Sequence, residues 1–208
     1  MPDSDIAKKP RSGGRPPRDA VEALDARMIA CAARLFTERG YAGVSIEGVA
    51  AEAGVGKNTI YRRYATKADL FQAVVDDQIR ARLRTPEEIE DGDLETRLTR
   101  LAVLLVEAAL NPETTSFQRL IIAEAERFPE IAAICLDRAF RPAIALARSV
   151  LEGDSDRGDL DFAAQQFVAA IVYGPHLDAL MGRRSLNSDA EIARYAGNAV
   201  TLFLKGWR

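Results

Sequence analysis

The chain has few of the residues from which metal and catalytic sites are built. Among its 208 residues are one histidine, His176, and two cysteines, Cys31 and Cys135, which lie far apart in the sequence. A zinc site needs clustered Cys and His ligands, and nucleophilic catalysis needs a nucleophile beside a base. Neither pattern is present, so we expect no metal, no cofactor and no catalytic residue. We expect both cysteines to be small core residues of a reducing compartment, with a redox switch as the alternative.

Long apolar runs are also missing. No segment approaches the ~20 consecutive apolar residues that span a bilayer, and the polar N-terminus lacks the apolar core of a signal peptide. We therefore expect a cytoplasmic protein with no membrane partner. With 48% hydrophobic and 28% charged residues, the composition is that of an ordinary globular protein with one sizeable core or two smaller ones.

Strand-like alternation of apolar and polar residues is absent throughout, and apolar residues instead recur at helical spacing. The pattern predicts an all-α chain. Expected helices cover residues 20–39, 46–53, 57–64, 67–84, 94–110, 117–127, 129–151, 161–181 and 189–203. We expect Ser45, Thr66, Asp161 and Ser188 to cap helices, 153–158 to form a polar loop, and Pro175 to kink its helix.

The segment 46–64, IEGVAAEAGVGKNTIYRRY, has the spacing of a helix-turn-helix. Ala50 leaves room for two helices to cross, Gly54 takes the positive φ that the turn requires, and Ile60 closes the small core. The second helix then carries exposed donors and cations suited to base edges and phosphates. Similar corners occur in proteins that do not bind DNA, so the flanking sequence matters.

Charge is distributed unevenly along the chain. Residues 1–84 hold 15 basic and 11 acidic side chains, a net charge of +4, and the remainder holds 13 and 20, a net charge of −7. A basic first third is consistent with a DNA-binding module, although scatter among many charges also produces such a difference. Residues 1–19 are basic and rich in Gly and Pro, and we expect a disordered arm. Such an arm either enters a minor groove or is simply solvated.

Residues 26–79 resemble the TetR family of bacterial transcriptional regulators. The resemblance rests on three ordered blocks, ARLFTERGY at 33–41, SIEGVA at 45–50 with the turn GVGK at 54–57, and IYRRYATKADLF at 60–71. Arg63 stands where the family usually has His, and Gly56 stands where it commonly has a capping Ser. Residues 117–131, FQRLIIAEAERFPEI, also resemble the C-terminal domain of the AefR-like subgroup.

The resemblance implies a homodimeric repressor that leaves a palindromic operator when a small-molecule effector binds. It divides the chain into a helix-turn-helix domain at 20–66, a connecting helix at 67–84 and an effector-binding and dimerisation domain at 85–208. Matched positions imply DNA contacts from one set of side chains, namely Ser45, Lys57, Asn58, Thr59, Tyr61, Arg62, Arg63, Tyr64 and Lys67. A solvated helix face is the alternative for the basic members of this set.

The last two expected helices are implied to form the dimer interface. Five of their apolar residues are the candidates for it: Phe167, Ile171, Tyr195, Val200 and Phe203. Candidate effector contacts are Arg119, Glu124, Tyr173 and His176, each of which can instead satisfy neighbouring helices, as buried polar groups usually do. We expect His176 to bond a carbonyl that the Pro175 kink frees.

Three other functions are compatible with parts of the pattern. An enzyme with a DNA-binding appendage would need a catalytic arrangement that the sequence does not show. An architectural DNA-binding protein without effector control would not need residues 85–208. A transcriptional activator of the same fold differs from a repressor only in where its operator lies.

Overall fold

The computed structural model describes residues 18–81, 89, 91–152 and 159–207, and within them it contains helices and no strands. Residues 1–17 of the arm expected at 1–19, the polar loop at 153–158 and the end of the connecting helix at 82–84 lie outside these residues. The last two residues expected in the arm, 18 and 19, belong to α1. The helices are α1 (Arg18–Arg39), α2 (Ile46–Glu52), α3 (Lys57–Arg63), α4 (Lys67–Arg80), α5 (Leu94–Leu110), α6 (Pro112–Glu124), α7 (Pro129–Cys135), α8 (Arg141–Leu151), α9 (Leu160–Leu180) and α10 (Asp189–Gly206).

Several helix starts agree with the sequence, but α6 begins at Pro112, five residues before its expected start at 117, because the Asn111 side chain caps it by accepting from the Glu113 and Thr114 N–H groups. The Ser45 hydroxyl accepts from the Gly48 N–H, and Thr66 and Asp69 form a reciprocal capping box. Asp161 does not cap α9. The cap is Asp159, two residues earlier, whose carboxylate accepts from the N–H groups of the first turn of α9. Ser188 caps α10 as expected.

The expected helix at 129–151 is interrupted by a π-helical segment, π1 (Leu136–Phe140), which separates α7 from α8. Pro142 is the second residue of α8. Because proline has no N–H, it cannot donate to the carbonyl four residues earlier. The Arg141 N–H bonds back to Leu136, five residues away. The wider π turn just before Pro142 is therefore the physical reason why the helix predicted at 129–151 is divided into α7 and α8.

Two hydrophobic cores hold the helices together. The first contains the apolar faces of α1 to α4 and also takes in Phe117 and Ile121 from α6 and Ile131 from α7. Its aromatic centre crosses from the N-terminal helices into the C-terminal ones, where the Phe71 and Phe117 rings stack with centroids 4.9 Å apart. Burying a Phe or Ile side chain of this kind stabilises the fold by roughly 1.5–3 kcal/mol.

The second core is built around α5, against which α8, α9 and α10 pack. Leu98 and Leu101 of α5, Phe167 and Ile171 of α9 and Val200 of α10 are fully buried there. Since α9 and α10 both use one face to cover α5, each has another face that no described residue covers. In the part of the chain that the structure describes, no helix is long and apolar enough to cross a membrane.

Candidate nucleic-acid interface and internal cavity

The helix-turn-helix corner has the geometry that its spacing predicts. Ala50 is 1% exposed between α2 and α3, and the Val55 N–H returns to the Ala50 carbonyl at 2.9 Å. Gly54 has φ +65°, and a Cβ there would meet no atom within 4 Å. Gly54 is therefore needed for its backbone conformation and not for space.

The outward face of α3 carries polar side chains that the protein itself does not use. Lys57, Asn58 and Arg62 are exposed and make no hydrogen bond or ion pair with any described residue. Thr59 is half-buried between them and the buried Ile60. Two cations and an amide held ready on one helix can bind phosphates and base edges without first breaking a contact within the protein.

Tyr61 lies on the same helix but already has a partner. Its hydroxyl donates to Glu47 Oε1 of α2 at 2.7 Å, and this bond lowers the pKa of the Glu47 carboxyl. The ring remains 42% exposed. Tyr61 can therefore offer its ring edge, while its hydroxyl must leave Glu47 before it can donate to a phosphate.

Tyr64 faces the protein interior, which differs from the direct DNA contact that its family position implies. Its side chain is 7% exposed, and its hydroxyl donates to Asp25 Oδ1 of α1 at 2.8 Å. Burial and the Asp25 carboxylate together raise the Tyr64 pKa well above its usual value. The ring has no free face for a phosphate or a thymine methyl, so in this structure Tyr64 positions α3.

Arg63, the residue that replaces the usual His, shares the same partner. Its Nε lies 3.5 Å from Asp25 Oδ1, and it donates weakly to the Val21 carbonyl. Asp25 thus fastens the end of α3 to α1 through two side chains. This role is not predictable from the sequence, because Asp25 is one polar residue of an amphipathic helix, 39 positions from Tyr64.

Lys67 and Ser45 stand at the starts of α4 and α2. The half-buried Lys67 ammonium donates to the Tyr41 carbonyl at 2.8 Å and lies 4.3 Å from the centre of the Tyr41 ring. An ammonium has three donors, so this contact leaves capacity for a phosphate. Ser45 is exposed and uses its oxygen to cap α2.

A cavity of about 190 Å³ lies among the C-terminal helices. A single water needs only about 10–15 Å³ on this scale, so the space is suited to an organic molecule. Its walls come from α4 to α9 and π1 and are mostly apolar. The polar or titratable lining residues are Gln78, Thr114, Gln118, Cys135, Arg138 and His176.

Among the four candidate effector contacts, His176 lines the cavity. Its Nδ1 lies 3.0 Å from the Ala109 carbonyl of α5, so the carbonyl it binds belongs to a neighbouring helix and not to the turn freed by Pro175. Burial lowers the His176 pKa, and the bond to Ala109 opposes that shift. The imidazole is therefore neutral at neutral pH.

The other three candidates lie outside the cavity lining. Arg119 of α6 donates to the Ala179 and Leu180 carbonyls at the end of α9, at 2.6 and 2.8 Å. Tyr173 is 69% exposed on the outer face of α9. Arg119 thus fixes α6 to α9, as cations commonly do at a helix C-terminus.

Glu124, the last residue of α6, joins the two parts of the molecule. Its carboxylate accepts from the backbone N–H groups of Tyr41 and Ala42, at 2.8 and 2.9 Å, in the loop between α1 and α2. Gly40 makes this approach possible, since a Cβ at that position would collide with Glu124 Oε1. Three residues earlier on the same helix, Ile121 lines the cavity.

A second connection runs through π1. Arg138, which lines the cavity, pairs with Asp76 of α4 with Nε 3.4 Å from Oδ1. Cys135 lines the same space, where burial raises its thiol pKa to about 11. At neutral pH that thiol is protonated and weakly reactive, and Cys31 is also a free thiol.

Phe167, Ile171 and Val200, three of the five candidate dimer residues, are 0% exposed within the core of their own subunit. Tyr195 is half-buried with its hydroxyl 3.1 Å from the Ile171 carbonyl, and Phe203 packs edge-on against Phe167. These five side chains complete the core of a single chain, because the face of α9 and α10 on which they lie packs against α5. The apolar side chains that α9 and α10 expose are Phe162, Tyr173, Leu177 and Leu202, with Met181 directly after α9.

The chain matches two family models. Residues 28–74 match that of bacterial regulatory proteins of the tetR family, and residues 96–208 match the C-terminal domain of AefR-like transcriptional repressors. An uncharacterized HTH-type transcriptional regulator of Mycobacterium tuberculosis is 29% identical over 140 residues, 67% of each chain. The HTH-type transcriptional activator FasR of Mycolicibacterium smegmatis is 32% identical over 65 residues, 31% of this chain and 28% of FasR.

Solved structures agree with this assignment. A TetR-family transcriptional regulator from Mesorhizobium loti has a TM-score of 0.72 and 27% identity, over 89% of this chain and 97% of that one. The flavonoid-responsive regulator FrrA has a TM-score of 0.74 and 24% identity over the same shares, which shows a common fold. The chain is a DNA-binding transcriptional regulator that belongs to the TetR family, with an AefR-like C-terminal domain, and it is not an enzyme.

Proposed function

We propose that the protein is a homodimeric repressor that leaves a palindromic operator when a small molecule occupies the cavity. The observation that carries this proposal is the position of α6. One face of this helix lines the cavity, its Arg119 binds α9, and its Glu124 binds the loop before the helix-turn-helix. A ligand that moves α6 therefore acts on both the DNA-binding helices and the helix of the expected dimer interface.

DNA reading is assigned to the free side chains of α3. Lys57, Asn58 and Arg62 approach the major groove, with Tyr61 and Thr59 beside them and Ser45 and Lys67 near the phosphate backbone. Arg63 and Tyr64 hold α3 on α1 in this proposal. The twofold symmetry of a dimer then requires two half-sites related by the same symmetry in the DNA.

The dimer interface is assigned to the uncovered faces of α9 and α10. Tyr173, Met181 and Leu202 are each about 70% exposed, an unusual state for large apolar side chains in a single chain. Gly174 lies in the same stretch, and a Cβ there would meet nothing within 4 Å. Its small size is unnecessary within the subunit, and it would let a partner helix approach closely.

Sedimentation of the purified protein tests this interface. Tyr173→Glu combined with Leu202→Glu is expected to give a folded monomer, because four buried carboxylates would face each other across the twofold axis. Ile122→Glu is the matched control, since Ile122 is 65% exposed and belongs to α6, outside the two helices of the proposed interface. A dimer that survives the double substitution would remove α9 and α10 from the interface.

Effector release requires a ligand that prefers the conformation with low DNA affinity. The cavity volume, its apolar walls and its contact with π1 and α6 support such a ligand. FrrA, a protein of the same fold, is described as flavonoid-responsive. That description favours control by a small organic molecule here as well.

Fluorescence anisotropy with DNA from upstream of the protein's own gene tests operator binding. Comparison with scrambled DNA at two salt concentrations separates specific from electrostatic binding. We expect the upstream DNA to bind at least ~10³ times more tightly than scrambled DNA. Equal, steeply salt-dependent binding to this and other genomic DNA would favour the architectural alternative.

Activation is the second candidate, because FasR is described as an activator. In vitro transcription from the bound promoter distinguishes the two outcomes. A repressor lowers transcript yield when it occupies the operator, whereas an activator raises it.

A further inference from the structure

The cavity contains one group whose hydrogen-bonding role is determined by the fold, and it is His176. The Ala109 carbonyl lies 3.0 Å from Nδ1. A carbonyl oxygen can only accept, so Nδ1 must carry the proton. Burial disfavours a second proton on the ring, which leaves Nε2 as an acceptor with a free lone pair.

No described residue makes a hydrogen bond to Nε2, and Nε2 is not sealed off from accessible space. An acceptor that water can reach and that no protein group uses is available to a ligand donor, which takes the place of the water. The other uncharged polar lining groups are less selective. Thr114 and Gln118 each contain both a donor and an acceptor, so they accommodate ligands of either kind.

The charge of the lining limits the ligand further. Arg138 is the one side chain with a full charge among the lining residues, and Asp76 already pairs with it. The Asp76 carboxylate offsets the charge of Arg138 and so weakens the attraction for an anionic ligand, and a cationic ligand would find no lining carboxylate. The apolar walls, contributed by residues such as Leu105, Phe117 and Val172, suit a ligand with a largely hydrocarbon body.

We infer that the cavity binds an uncharged, mainly apolar molecule bearing one hydroxyl or N–H donor, which hydrogen-bonds to Nε2 of His176. Phenols and similar compounds belong to this class. The inference deepens the proposed effector control and rests on it for its regulatory meaning. The binding chemistry can be tested separately.

Three bicyclic probes isolate the donor, namely 2-naphthol, 2-methoxynaphthalene and naphthalene-2-carboxylate. Calorimetric titration of the tag-free, full-length protein at pH 7.5 gives the affinity for each. We expect 2-naphthol to bind roughly 3- to 10-fold more tightly than 2-methoxynaphthalene, the range for one net hydrogen bond, and the carboxylate to bind most weakly. Equal affinities for the first two probes, preferred binding of the carboxylate, or no binding of any probe would overturn the inference.

Two variants locate the preference. His176→Phe keeps a planar ring but removes the acceptor, so the preference for 2-naphthol is expected to disappear. Gln118→Leu removes a different polar lining group and is expected to retain the preference. A preference that survives His176→Phe would assign the donor contact to another residue and overturn the inference.

NMR of the wild-type protein avoids any doubt about how His176→Phe folds. The sequence has one histidine, so ¹⁵N-histidine labelling gives one pair of ring nitrogen signals. We expect a protonated Nδ1 and an unprotonated Nε2 whose signal moves when 2-naphthol binds but not when 2-methoxynaphthalene binds. A protonated Nε2 in the free protein, or an Nε2 signal that 2-naphthol leaves in place, would contradict the assignment.

Operator binding separates this inference from the proposed function. If 2-naphthol binds as described and leaves the operator complex intact at saturation, effector control by this ligand class is wrong while the His176 contact stands. If the probe releases the operator in the wild type and does so without preference over 2-methoxynaphthalene, effector control stands and the His176 contact is wrong.

Discussion

The proposed DNA-reading surface takes its side chains from one seven-residue helix, whereas the cavity is lined by seven helical segments that extend from α4 to α9. In the first region, sequence spacing alone determines which residues share a face. In the second, residues about 100 positions apart line the same space, as Val75 and His176 do. Short-range geometry therefore explains the first region, and only the packed fold explains the second.

The polar groups of α3 also differ in use from those of α6, the helix that lines one side of the cavity. The side chains of Asn58 and Arg62 make no hydrogen bond or ion pair with a described residue, and Lys57 makes only a charge interaction with Glu47. Arg119 and Glu124 are instead bonded to backbone groups of neighbouring elements. A free polar group on an exposed helix is available for a ligand. A polar group that is bonded to another element instead couples the position of its own helix to the position of that element.

The largest effect is expected at the connection between the regions. Glu124→Ala removes two charge-assisted hydrogen bonds to the loop at 41–42 and should lower the free energy of unfolding by about 3 kcal/mol. Urea denaturation measures this change. Glu126→Ala is the control, since Glu126 is exposed and without such bonds, and should change stability by less than about 0.5 kcal/mol. Similar small losses in both variants would show that Glu124 does not join the regions.

On the reading surface, Asn58→Ala should reduce discrimination between particular base pairs by about 2 kcal/mol. Lys67→Ala should weaken binding to all sequences about equally and lower the salt slope by ~1. Affinities for a panel of singly substituted operators at two salt concentrations measure both. If both variants lose only uniform affinity, Asn58 is not a base-reading residue.

Tyr64→Phe separates positioning from direct contact. The variant loses the hydroxyl that donates to Asp25 and should lower stability by about 1 kcal/mol while keeping operator preference. Tyr61→Phe is the comparison, because that hydroxyl is exposed and its loss should change stability little. A large loss of operator affinity in Tyr64→Phe with unchanged stability would mean that Tyr64 contacts DNA.

The smallest effect is expected at the start of α3. Gly56 occupies the cap position at φ −70° and offers no side-chain acceptor. A Cβ there would meet only Thr59 Oγ1, at 4.0 Å, so Gly56→Ser fits and should stabilise the protein by about 0.3 kcal/mol. Thermal unfolding of the variant beside the wild type measures this difference. A destabilised variant would mean that the start of α3 has no room or need for a cap.

The sequence predicted the helix-turn-helix well because each of its signals is local. Gly54, Ser45 and the Thr66–Asp69 capping box act within four residues, and all three appear in the structure as expected. The position of Tyr64 could not be predicted in this way. The burial of Tyr64 accompanies a hydrogen bond to Asp25, which belongs to another helix, and no local sequence pattern marks Asp25 as a partner.

The dimer candidates illustrate the same limit. The sequence singles out three apolar residues of the last two helices, Phe167, Ile171 and Val200. Apolar periodicity predicts that a helix face is buried, but it does not identify the element that covers this face. In the fold that neighbour is α5, and the exposed apolar residues are others. The π1 segment was likewise hidden, since Pro142 signals a disturbance in the helix without specifying its form.

In the proposed mechanism, occupancy of the cavity and binding to the operator are coupled through α6. Thermodynamic linkage makes this coupling reciprocal. The most direct measurement is the dissociation constant of 2-naphthol for the free protein and for the protein saturated with its operator. We expect 2-naphthol to bind more weakly to the operator complex, by the same factor by which 2-naphthol weakens operator binding. Equal dissociation constants in the two states would contradict this coupling.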